Sequence, residues 1–91
     1  MTHGERRKAQ ILEAGLTLWP NVTARSVARV CGITHQGVLY HFDNTDALCE
    51  AIATHAVRSG CKRVVPMLIV ARHESTAGLT AEERSDFLKS L

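Results

Sequence analysis

Ninety-one residues are enough for one small domain, or one with a short appendage, and a chain of this size has little capacity to bury a core of its own. With 45% apolar and 22% charged residues it is not disordered, collagenous or of low complexity. The formal charge of +2 sits in residues 1–45, where Arg6, Arg7, Lys8, Arg25 and Arg29 outnumber Glu5, Glu13 and Asp43; the rest of the chain balances.

The longest apolar run, Val64 to Ala71, contains Pro66 and falls far short of the about 20 residues a membrane span needs. Met1 to Lys8 is polar with no apolar stretch behind it, which predicts no secretory signal and a cytoplasmic protein. Cys31, Cys49 and Cys61 are widely spaced and odd in number, so they read as free thiols. Neither they nor the scattered histidines have the spacing of a metal site, and no cofactor is expected. No phosphate-binding glycine loop, nucleophile elbow or HExxH motif is present, so the chain does not read as an enzyme.

In chain order, Thr2-His3-Gly4-Glu5 has the form of a capping box and opens a first helix. Ile11, Leu12, Leu16 and Trp19 give that helix one apolar face, and Pro20-Asn21 ends it. Thr23 caps a second, short helix with Val27, Ala28 and Cys31 inward, closed by Gly32. Thr34 caps a third, running through His35-Gln36-Gly37-Val38-Leu39-Tyr40. Two short helices joined at a glycine turn make a helix-turn-helix pattern. Asp43 to Asp46 is a polar break before a fourth helix with Leu48, Ile52 and Ala56 at four-residue steps, fraying or bending near Ser59-Gly60. Pro66 kinks or starts a helix in the apolar run, Glu74 to Gly78 reads as a loop, and Thr80-Ala81-Glu82-Glu83 caps a last helix with Phe87, Leu88 and Leu91 inward. No repeat and no strand alternation occurs, so the expected class is all-α, with residues 1–45 as one unit and 46–91 as a short helical extension.

The first turn of the third helix carries Thr34, His35, Gln36 and Gly37, where such helices meet base edges in the major groove. Gln36 has the donor–acceptor pair that matches adenine, and Gly37 permits close backbone approach. Tyr40 and His41 have polar tips suited to phosphate oxygens. Arg6, Arg7 and Lys8 stand at the start of the first helix, where the helix dipole does not favour cations, which points to phosphate contact instead.

The stretch from Thr23 to Phe42, with Arg-Ser-Val-Ala, Val-Cys-Gly-Ile-Thr and Leu-Tyr-His-Phe in order, resembles the DNA-binding domain of the TetR family of bacterial repressors. Ile11-Leu12-Glu13-Ala14 and Leu48 fit the helices on either side. The resemblance implies a TetR-like three-helix domain in which Thr23 and Arg25 contact phosphate, Thr34 to Gly37 read bases, and Tyr40 and His41 contact phosphate. Ala24 departs from the family's Thr-Thr pair, and Thr45 stands where Lys is usual. The family's long ligand-binding and dimerising domain has no counterpart in this length. Two short helices are not expected to enclose a pocket of several hundred Å³, so no small-molecule inducer is expected.

The remaining apolar residues, Val64, Val65, Met67, Leu68, Ile69 and Val70 with Phe87, Leu88 and Leu91, are the expected dimer interface. The reading is a homodimeric repressor on a palindromic double-stranded DNA operator, of the size found in phage, plasmid or other mobile elements. A module using the same fold to bind another regulator or a polymerase is the alternative; a pH or redox switch built on His35, His41 and the thiols is a further one.

Overall fold

The structure, a computed structural model, describes residues 3–89. Among these there are six α-helices, one 3-10 turn and no strand: α1 His3–Leu18, α2 Ala24–Cys31, α3 His35–His41, α4 Thr45–Ser59, α5 Val65–Val70, the 3-10 turn Glu74–Thr76, and α6 Ala81–Leu88. The chain divides into two compact units, residues 1–52 and 53–91, with the division inside α4. The Thr2 cap expected for α1 lies outside the described residues.

In the first unit, α1 packs on α2, and α2 on α3. Ile11, Val27, Val38, Leu48 and Ile52 are fully buried, with Ala14, Leu16, Val22, Ala24, Ala28 and Phe42 nearly so. Burying each of the larger aliphatic side chains stabilises the fold by about 1.5–3 kcal/mol. Gly15 is where α1 meets the first half of α4: a Cβ there would overlap Cδ1 and Cγ1 of Ile52.

Local chemistry sets the ends of the two short helices. Thr23 Oγ1 accepts from the Ser26 amide at 3.0 Å while Ser26 Oγ accepts from the Thr23 amide at 3.0 Å, a reciprocal capping box at the start of α2. Gly32 closes α2 at φ 69°, in the left-handed region that a side chain disfavours, and the Ile33 amide reaches back to Ala28 O at 3.0 Å. Thr34 Oγ1 then accepts from the Gly37 amide at 3.0 Å and starts α3. Caps of this kind stabilise a helix by about 0.5–2 kcal/mol each, which matters for helices of eight and seven residues. Asn44 Oδ1 does the same for α4, accepting from the Ala47 amide at 2.8 Å.

In the second unit, Ala53 and Ala56 from α4 and Val64, Val65, Pro66 and Leu68 from α5 and its approach are buried. Pro66 lies in the first turn of α5, where its missing N–H is no loss, so it starts a helix rather than kinking one. The segment after it winds into the 3-10 turn, held by His73 Nδ1, which accepts from the Ser75 amide at 3.1 Å, and by Thr76 Oγ1, which donates to His73 O at 2.7 Å. Thr80 and Glu83 make the expected capping box at α6.

Two expectations for the tail are corrected here. Val64, Val65 and Leu68 are at most 1% exposed within the single chain, so they have no surface left for a partner; their side chains are spent in the chain's own core. In α6 no residue is buried: Phe87 is half-buried and Leu88 is exposed, so that helix does not face inward as its apolar spacing suggested. Met67 and Ile69 are half-buried, Val70 is 67% exposed, and Leu91 lies outside the described residues.

Candidate nucleic-acid interface

Helix α3 turns Val38 fully inward, which sends positions two residues away on either side to the outer face. Gln36 and Tyr40, one helical turn apart, are both exposed there, Tyr40 at 85%. Thr34 is exposed at the start of the helix, and His35 and His41 are half-buried at its flanks. The Tyr40 and His41 rings meet edge to face with centroids 5.2 Å apart. The outer face of α3 therefore offers one amide, one phenol and one hydroxyl to whatever approaches it.

Some of these groups already have work to do. Thr34 Oγ1 holds the Gly37 amide, and Thr23 Oγ1 holds the Ser26 amide, so an incoming phosphate or base is left with the remaining capacity of each hydroxyl. Gly37 is half-buried, and a Cβ there would lie 3.2 Å from Thr34 Oγ1 and 3.7 Å from Ile33 Cδ1. Its amide is taken by the Thr34 cap at the start of α3.

The basic residues do not form one cluster. Successive residues of a helix point about 100° apart, and Arg6, Arg7 and Lys8 separate accordingly. Arg6 lines a groove of about 580 Å³ between α1 and α2, with Val30 across it. Arg7 brings its charge to Cys31, partly offsetting the burial that pushes that thiol up. Lys8 reaches the end of α3: its Nζ stands 5.4 Å from the centre of the Phe42 ring, within cation–π range. Arg25 is exposed on α2, one helical turn before the also exposed Arg29. The Lys8–Phe42 pair had no signal in the sequence, since 34 positions separate its members.

Cys31 Sγ donates to Gln10 O at 3.6 Å and so ties α2 to α1. Cys31, Cys49 and Cys61 are free and half-buried. Burial raises the Cys49 thiol, and the nearby Asp46 and Glu50 raise it further. Among the described residues no three His, Cys, Asp or Glu side chains stand close enough to hold a metal ion, and no helix is long and apolar enough to cross a membrane. In the tail, hollows of about 360 and 390 Å³ open beside Lys62 and Phe87 and beside Arg72 and Arg84. Both hollows are open to the surface and are not enclosed cavities.

Compared with protein-family models, curated proteins and solved structures, the chain matches none.

Proposed function

We propose that the chain is a sequence-specific DNA-binding repressor of transcription, built on a TetR-like helix-turn-helix and acting in the cytoplasm. The observation that carries the reading is the pair α2 and α3 itself. Both helices start at a threonine cap, Gly32 turns between them, and Gln36 and Tyr40 stand exposed on the outer face of α3. In this reading Gln36 takes a base edge in the major groove, with Thr34 and His35 beside it, while Tyr40, His41, Arg25 and Lys8 contact phosphates on either side. Arg6 and Arg7 point from α1 in other directions than Lys8 and are not assigned a contact in this reading.

The repressor acts as a homodimer, and two α3 helices read half-sites about 34 Å apart. With Val64, Val65 and Leu68 spent in the core, the dimer surface narrows to Met67, Ile69, Val70, Phe87 and Leu88. Occupancy of the operator is sufficient for repression, with no inducer required.

A second reading rests on Val30 and Val70, 55% and 67% exposed, as contacts for another protein. Selection of bound fragments from random duplex DNA separates the two. An enriched inverted repeat supports the repressor, and no enrichment over bulk DNA leaves the interaction module.

A further inference from the structure

Three helices of this chain end in the same way. At each, a residue with positive φ follows the helix, and the next amide reaches back five residues: Ile33 to Ala28 O at 3.0 Å, Cys61 to Ala56 O at 2.9 Å, and His73 to Leu68 O at 2.9 Å. At the first two the left-handed residue is glycine, Gly32 and Gly60, for which this backbone is free of a Cβ clash. At the third it is Arg72, φ 57°, the one described residue other than glycine with positive φ. An arginine there costs conformational energy that a glycine would not.

The Arg72 side chain lines the hollow of about 390 Å³ beside α5, together with Arg84 and Glu74. Arg84 is anchored: its Nη2 donates to Thr76 O at 3.0 Å, and its Nε is buried with no hydrogen-bond partner. A buried donor left unpaired is unfavourable and is relieved by an acceptor. His73 also lines the hollow, and its Nδ1 is taken by the Ser75 amide at 3.1 Å. Two permanently charged guanidiniums against one carboxylate leave the hollow net positive.

We infer that this hollow binds a small phosphate-bearing ligand, with the Arg72 and Arg84 guanidiniums holding the phosphate oxygens. Two guanidiniums match a group that carries about −1.5 to −2 charge and three acceptor oxygens at pH 7 better than they match a single carboxylate. The volume is at the lower end of the roughly 300–1,000 Å³ of small-molecule sites. Binding takes place within residues 53–91 and does not depend on DNA recognition by α3.

Thermal unfolding of the full chain tests the inference, in chloride buffer against inorganic phosphate and against glycerol phosphate at equal ionic strength. The decisive variant is Arg72→Gly, which removes the guanidinium and relaxes the backbone, so it folds at least as well as the wild type. At a ligand concentration of roughly ten times Kd, the wild-type Tm rises by about 5–10 °C. Arg72→Gly starts from an equal or higher Tm and keeps only the small rise that phosphate gives any protein. A stronger effect of glycerol phosphate than of inorganic phosphate identifies the ligand as a phosphorylated small molecule, and the reverse identifies free phosphate. Equal shifts in wild type and variant, or no shift in the wild type, overturn the site.

Discussion

Replacing Gly15 with alanine sets two known effects against each other. In an exposed helix the change adds about 0.8–1 kcal/mol of helix propensity. Here the new methyl would overlap Cδ1 and Cγ1 of Ile52, and Ile52 is fully buried, so it has no solvent into which to turn. Overpacking of this kind costs about 1–3 kcal/mol. Overlap with two atoms of a fully buried side chain puts the cost in the upper half of that range, so it is expected to win by about 1–2 kcal/mol, a fall in Tm of about 5–15 °C for a chain of this size. Melting followed by helical circular dichroism reads it. Ile52→Val alone removes Cδ1 and lowers stability by about 0.5–1.5 kcal/mol. In the double variant the alanine methyl fills that space, so the two losses do not add; the double variant should be at least as stable as Gly15→Ala. A Gly15→Ala protein that melts higher than wild type would refute the close approach of α1 and α4.

Lys8→Ala should reduce the salt slope of DNA binding by about 1, as expected for one lost phosphate contact, whereas Arg6→Ala should leave it unchanged; titration at several salt concentrations separates them. Leu68→Glu puts a charge into the core and should unfold the second unit, seen as lost helical signal, while Val70→Glu should fold normally and weaken self-association in sedimentation. A folded Leu68→Glu monomer would return that residue to the interface. The Thr80 amide and hydroxyl hold the Glu83 carboxyl below its ordinary range. The support it gives α6 is therefore full above the unfolded value and lost as pH falls through the lower folded one. An NMR titration of the Thr80 amide should show that acid transition in wild type and not in Glu83→Gln.

Where structure is decided within a few residues, the sequence was readable. Thr23, Gly32 and Thr34 mark the ends of α2 and α3 because each acts on amides or dihedrals next to itself. The Thr80 and Glu83 box at α6 is equally local. The tail failed as a reading because a continuous apolar run has no period to separate core from interface. Val64 to Val70 has apolar residues on every side, and only three-dimensional burial shows that Val64, Val65 and Leu68 face inward and Val70 outward. The 3-10 turn depends on the His73 ring and on Thr76, and the guanidinium of Arg84 reaches it from α6, eight positions along the chain. At the candidate site, the start of α3 was legible from its Thr34 cap, whereas the exposed pair Gln36 and Tyr40 emerges only once Val38 is seen to be buried. The divergence of Arg6, Arg7 and Lys8 was not, because a string of like charges does not state which helix face each residue occupies.

The central claim is that α3 reads base sequence. Its most direct test is the affinity of wild type and Gln36→Ala for a duplex selected by the wild type, and for that duplex with each base pair of a half-site replaced in turn. Wild type should lose affinity at several positions. Gln36→Ala should bind the selected duplex about 1–3 kcal/mol more weakly and become indifferent to one of those positions. Equal binding of wild type to every duplex, or an unchanged preference in Gln36→Ala, would contradict the account.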